Sequence, residues 1–260
     1  MITKKLLGQH FLKCRWVTHQ ILRAADISKN DTVLEVGPGA GALTFALTAA
    51  AGRVIAVEKD ERLAEELKTR AGRTGIKNLE IITGDILNFL PQTKFGAHKV
   101  LGNIPYYLTS RLLRLLISHP DKPERIVFTI QKEVARRITA RPPRMNLLAL
   151  SVRAFGKPEI VKAVPASCFS PKPKIDSAII KISDISNRYF ETTSFDQDFF
   201  FKVAAAAFAG KRKMLTTTLS KMFPKNKVVH ALDRAHLPLT ARPEQCSLDQ
   251  WRALITALQG

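Results

Sequence analysis

Cysteine is scarce in this chain of 260 residues, and its placement excludes more than its number does. Cys14, Cys168 and Cys246 lie far apart, with no CxxC pair to suggest a zinc site or a redox motif, so reduced structural thiols are expected. The six histidines, at 10, 19, 98, 119, 230 and 236, form no HExxH or comparable ligand spacing, and no metal is expected. Long apolar runs are missing as well. None approaches the roughly 18 residues of a spanning helix, and the opening Met1-Ile-Thr-Lys-Lys-Leu-Leu-Gly8 carries neither an apolar signal core nor an Arg/Ser-rich transit stretch. These absences read as a cytoplasmic chain with no membrane partner. Acidic residues are few: 22 Asp and Glu stand against 41 Lys and Arg, giving a formal charge of +19 and a pI near 10.2. Such an excess draws a protein to polyanions, above all nucleic acid, through phosphate contacts and counterion release. It also sets copies of the chain against one another, so a monomer is expected.

What is present is a foldable chain. Hydrophobic residues at 45% are too many for intrinsic disorder, and the length suits one large core with a modest appendage. Four short apolar runs, Thr32–Val36, Arg53–Val57, Leu79–Thr83 and Lys99–Gly102, alternate with helical patterns over Leu43–Ala51 and Glu61–Ala71. This is the rhythm of a Rossmann-like open α/β sheet with parallel strands. Arg125–Ile130 supplies a fifth strand. Leu147–Phe155, Glu159–Val164 and Ser177–Ile182 follow without long intervening helices, which predicts a mixed sheet of about seven strands ending in antiparallel ones, with one of these runs outside it. Residues 183–196 are polar and aperiodic, placing a boundary near 190: a catalytic domain over 1–190 and a small all-helical domain over 191–260. Helices are expected there at Phe199–Ala209, at Lys213–Met222 and after Ser247, where Gln250 completes a capping box.

The sharpest local signal is Glu35-Val-Gly-Pro-Gly-Ala-Gly-Ala-Leu-Thr44, leaving a strand, crossing three glycines and entering a helix. Glycines let a cofactor approach the backbone at the carboxyl end of the strands. The spacing fits two cofactors, since Gly37, Gly39 and Ala42 also satisfy the dinucleotide fingerprint. Glu58, at the end of the next strand, could bind the ribose hydroxyls of either NAD or S-adenosylmethionine, or could merely open the helix at Glu61. Asp85, after the third strand, could accept from an adenine amine or cap a helix.

Asn103-Ile-Pro-Tyr106 closes the fourth strand. Read as a turn, it is ordinary Asn and Pro usage. Read as chemistry, it matches methylation of a planar exocyclic amine. The Asn103 side-chain oxygen and the Ile104 carbonyl can accept the amine hydrogens, Pro105 fixes the backbone without a competing N–H, and Tyr106 can stack on a flipped base. No general base is required.

Taken together, these residues resemble the ribosomal RNA adenine N6,N6-dimethyltransferase family, and the resemblance covers nearly the whole chain. Leu7-Gly-Gln-His-Phe-Leu12 is similar to the family's opening GQ(N/H)FL, which implies donor contacts for His10 and Leu12. The family's donor loop falls on Glu35 and Gly37 to Thr44, its ribose acid on Glu58, its adenine-ring acid on Asp85, and its catalytic motif on Asn103 to Tyr106. Val164 to Ser177 resembles the family's proline-rich loop and implies that Phe169 stacks on the target base. Phe208 to Leu219 resembles its FxxRRKxLxxxL helix, implying RNA contacts for Lys211, Arg212 and Lys213. One departure is Arg141-Pro-Pro-Arg-Met-Asn146, where many relatives carry glycine.

The resemblance implies a class I methyltransferase fold, S-adenosyl-L-methionine as cofactor, and N6,N6-dimethylation of two adjacent adenosines in the 16S RNA of the small ribosomal subunit, tied to small-subunit biogenesis. Two other readings remain: the sister group that methylates a large-subunit adenine and gives macrolide resistance, and a ribosome-assembly or RNA-binding factor whose methylation is incidental.

Overall fold

The computed structural model describes residues 10–210 and 212–260. It opens with β1 (Phe11–Leu12) and α1 (Arg15–Ala25), then alternates β2 (Thr32–Val36), α2 (Thr44–Ala50), β3 (Arg53–Glu58), α3 (Glu61–Arg73), β4 (Leu79–Thr83), α4 (Ile86–Phe89), β5 (Lys99–Asn103), α5 (Thr109–Ser118) and β6 (Arg125–Gln131). After α6 (Lys132–Ile138) and α7 (Leu147–Arg153) come β7 (Lys157–Val164), β8 (Phe169–Ser170) and β9 (Ser177–Ser183). The remainder is helical: α8 (Arg188–Glu191), α9 (Gln197–Phe208), α10 (Leu215–Leu219), α11 (Lys225–Arg234) and α12 (Leu248–Gln259).

Seven strands form one mixed sheet in the order β4-β3-β2-β5-β6-β9-β7. The first five run parallel, and β9 is antiparallel to both β6 and β7. Near-continuous burial along β2, β3 and β5 is the mark of strands covered on both faces. On one face, Val17, Ile21 and Ala25 of α1 join Val33, Val54, Leu101, Val127 and Ile179 in the core. Strand order reverses between β2 and β5, the switch point at which open α/β sheets bind ligands. Gly102 permits that pairing to be close, because a Cβ there would meet the Val36 carbonyl oxygen at 2.6 Å. Lys99, buried at the start of β5, is held by Asp31 (2.9 Å) and the Asp26 carbonyl (2.7 Å).

The chain divides into two compact units. The described residues up to Arg136 with Lys157–Ile185 make the first; Arg137–Gly156 with Ser186–Gly260 make the second. The second thus includes a stretch well upstream of residue 190. It also holds the one late run expected to fall outside the sheet: that run is Leu147–Phe155, of which Leu147–Arg153 is helix α7. A short apolar run fits strand or helix alike, and here the Asn146 side chain accepts from Ala149 N (3.1 Å) and sets a helix going. The polar stretch 183–196 holds α8, whose Tyr189 and Phe190 are buried and stack edge-on with Phe200 of α9. The helix expected over Lys213–Met222 is reduced to α10: Arg212 has a left-handed φ of 63° and Met214 is extended, so the helix begins only at Leu215. Ser247 and Gln250 form the reciprocal capping box of α12.

Candidate active site

The carboxyl ends of β2, β3, β4 and β5 open onto a cavity of about 490 Å³, within the size range of small-molecule sites, roughly 300–1,000 Å³. Gly37, Glu58, Asp85, Asn103, Ile104, Pro105, Tyr106, His10 and Phe169 all line it. Leu12 does not: it turns into the core, and its neighbour Phe11 takes the wall instead.

Gly37, Gly39 and Gly41 adopt left-handed φ values of 65°, 54° and 83°, a conformation costly for any residue with a Cβ. Space at the first two differs. A Cβ on Gly37 would meet no protein atom, so the cavity reaches the backbone there; one on Gly39 would press on the Phe11 ring at 3.0 Å. Glu58 holds this loop. Its carboxylate accepts from Gly39 N and from Asp60 N, each at 2.9 Å, and Asp60, not Glu58, caps α3. Each Glu58 oxygen retains capacity for one further donor.

Asp85 caps α4 through Leu87 N (3.0 Å) and pairs with Lys59 at 2.8 Å. The bond to Lys59 holds the Asp85 carboxyl below its ordinary range and raises Lys59 in turn. Behind the loop, Glu35 is buried; desolvation lifts its carboxyl to about 8, the Thr44 hydroxyl partly opposing and the Glu58 charge adding. Among the described residues, neither Glu35 Oε2 nor Thr44 Oγ1 finds a partner at hydrogen-bond geometry.

At the end of β5, the Asn103 amide nitrogen donates to the His10 carbonyl (2.8 Å). Ile104 N donates to the Thr129 carbonyl (3.0 Å), while the Ile104 carbonyl and Asn103 Oδ1 accept no hydrogen bond from a described residue. Among the described residues, neither acceptor has a partner, and both Asn103 and Ile104 line the cavity. The Tyr106 hydroxyl lies 3.3 Å from Ser177 Oγ, and its ring is tilted against that of His10 with centroids 5.8 Å apart. His10 Nδ1 reaches the Pro171 carbonyl (2.7 Å), and Phe169 pairs with Leu12 across β1 and β8. Phe169 is only 2% exposed and belongs to the core as well as to the cavity wall.

The cysteines correct the expectation of free thiols: Cys14 and Cys168 are disulfide-bonded, with Cα atoms 5.0 Å apart, and Cys246 alone is free. No spacing rule links residues 154 apart; only the pairing of β1 with β8 brings them together. Arg212 and Lys213 are exposed in the turn between α9 and α10 and not on a helix, and Lys211 lies outside the described residues. Among the described residues, no three His, Cys, Asp or Glu gather as metal ligands, and no helix is long and apolar enough to cross a membrane. The cavity residues not singled out from the sequence include Phe11, Lys59, Tyr107 and Arg111. Three of these four sit directly beside residues that were singled out, and adjacency at a strand end was the signal available.

Comparison with known proteins agrees with this geometry. Residues 2–259 match the family model described as ribosomal RNA adenine dimethylase. A ribosomal RNA small subunit methyltransferase A from Dehalococcoides mccartyi (strain CBDB1) is 41% identical over 99% of this chain and 89% of its own length. Among solved structures, a dimethyladenosine transferase from Plasmodium falciparum aligns with a TM-score of 0.78 at 29% identity, covering 94% of this chain and 96% of that one. The 23S rRNA methyltransferase ErmE aligns with a TM-score of 0.76 at 27% identity, covering 96% and 100%. A seven-stranded mixed sheet and a cavity that joins a glycine loop to an Asn-Ile-Pro-Tyr strand end are thus accompanied by likeness along the full length, and the chain belongs to the ribosomal RNA adenine dimethylase family.

Proposed function

We propose that this chain transfers methyl groups from S-adenosylmethionine to the N6 amines of two adjacent adenosines in small-subunit (16S) ribosomal RNA, acting as a monomer in the cytoplasm during subunit biogenesis. The observation that carries the reading is the pair of acceptors, Asn103 Oδ1 and the Ile104 carbonyl, that have no partner among the described residues and stand beside Tyr106. Preference for the small subunit rests on a relative of that name at 41% identity, against 27% for the large-subunit enzyme.

The residues present fit the donor. Glu58 has acceptor capacity for two ribose hydroxyls, Asp85 suits an adenine amine, and the open space over Gly37 admits a chain against the backbone. When bound, S-adenosylmethionine supplies a methyl group on a positively charged sulfur. Asn103 Oδ1 and the Ile104 carbonyl hold the N–H groups of the target amine, which directs its lone pair away from the ring plane. Tyr106 stacks on the flipped base, a contact worth roughly 1–3 kcal/mol, and Phe169 supplies the second aromatic ring of the cavity. Pro105 removes the N–H that would compete for those acceptors. Catalysis is positional: no side chain has to take a proton before the transfer, and the amine proton passes to water afterwards. Arg212 and Lys213, with Lys211, contribute phosphate contacts.

Calorimetry with Tyr106→Ala tests the assignment. S-adenosylmethionine should bind saturably and NAD give no heat, while Tyr106→Ala keeps RNA retention and loses turnover. Equal loss of retention and turnover would remove Tyr106 from the chemistry, and NAD binding would restore the dehydrogenase reading of the loop.

A further inference from the structure

The outer face of α1 is not used by the methyl-transfer site. This helix contains no acidic residue. Burial of Val17, Thr18, Ile21 and Ala25 leaves Trp16, His19 and Arg23 exposed at i, i+3 and i+7, a single stripe. Trp16 is 36% exposed, and Lys162 of β7 places its Nζ 5.2 Å from the indole centroid. Lys13, Arg15 and Lys162 are exposed and have no acidic partner among the described residues.

This stripe is tied to the cavity wall. Lys13 N donates to the Cys168 carbonyl (2.9 Å), and Cys14 is bonded to Cys168, the residue before Phe169. One residue, Arg15, separates Trp16 from Cys14, so chain geometry keeps the Cα atoms of Trp16 and Phe169 within about 16 Å, a few nucleotides of single strand.

An exposed indole with a cation over its face, among uncompensated positive charges, has the features that hold single-stranded nucleic acid: a stacking platform on a basic track. We infer that this face is a second RNA contact, in which Trp16 stacks a base flanking the target adenosine while Lys13, Arg15 and Lys162 take the neighbouring phosphates. The inference rests on the RNA-methylation reading above for its substrate. It does not rest on it for its test.

The chain has two tryptophans, and Trp251 is fully buried, so a surface quencher of the intrinsic emission reports on Trp16. A short adenosine-rich single-stranded RNA should quench that emission saturably, and Lys162→Glu should weaken the titration. Trp16→Phe keeps a stacking ring and should keep the KM for RNA. Trp16→Ala should raise that KM roughly five- to hundredfold with kcat and donor affinity unchanged, and an unaltered melting temperature excludes loss of the fold. Unchanged RNA KM in Trp16→Ala together with no quenching would overturn the inference, as would quenching by vesicles of anionic phospholipid and not by RNA. Quenching by RNA from a protein that methylates no RNA would uphold the contact and sink the reaction proposed above.

Discussion

The side chain of Asn103 is turned so that its amide nitrogen donates to the backbone carbonyl of His10 at 2.8 Å, a bond spanning 93 residues of sequence. One end of the amide fixes the segment that leads into β1, and the other, on a residue that lines the cavity, accepts from no described residue. In the proposed reaction the same side chain both orients itself and holds the target amine.

Asn103→Asp separates these two roles. It keeps an acceptor oxygen and deletes the N–H to His10, so the acceptor loses its fixed direction. Turnover should fall about 10²-fold, the penalty of a small misplacement of a positioned group, with RNA retention within a factor of two or so of wild type. Single-turnover rates check this; a rate near wild type would show that the His10 bond does not position Asn103.

Glu58→Ala removes both the loop's anchor to Gly39 N and the acceptor proposed for the ribose. Donor affinity measured by calorimetry should weaken by roughly 1.5–3 kcal/mol, the range for charge-assisted hydrogen bonds. Glu58→Gln should recover part of it, since one oxygen remains.

Glu35 should make the fold less stable as pH rises. Its buried carboxyl holds its proton up to about 8, against 4.5 for an ordinary glutamate. Between those values the unfolded chain has lost a proton that the folded chain keeps, so stability decreases with pH across that window and levels off on either side. At 1.36 kcal/mol per pKa unit the full span is on the order of 5 kcal/mol. Denaturant melts at pH 5 and pH 8 should show this slope in wild type and much less of it in Glu35→Gln.

Thiol labelling checks the Cys14–Cys168 bond. Denatured without reductant, the chain should take up label at Cys246 alone; after reduction it should take up three. Opening a loop of 154 residues should cost roughly 4–5 kcal/mol of stability on the chain-entropy account. Three labels without reductant would show the bond to be absent.

Much of the fold was legible because the parallel strands announce themselves. Val33-Leu34, Val54–Val57 and Val100-Leu101 are buried on both faces and read as short apolar runs. Gly37, Glu58, Asp85 and Asn103 were readable as a group because each ends such a run, and strand ends in a parallel sheet share one edge. Helix α7 was not, since six apolar or small residues closed by Arg153 carry no decisive period. Nor was the disulfide, which depends on strands β1 and β8, of two residues each, too short to have a pattern. The inward turn of Leu12 and the outward turn of Phe11 come from that same small pairing.

The central claim is the reaction and its substrate. Incubating the protein with labelled S-adenosylmethionine and unmodified small or large ribosomal subunits, then digesting the RNA and identifying the methylated nucleoside by mass spectrometry, tests both together. The account predicts N6,N6-dimethyladenosine at adjacent positions in small-subunit RNA and no label in the large subunit. Label confined to the large subunit, or RNA binding without any label, would contradict it.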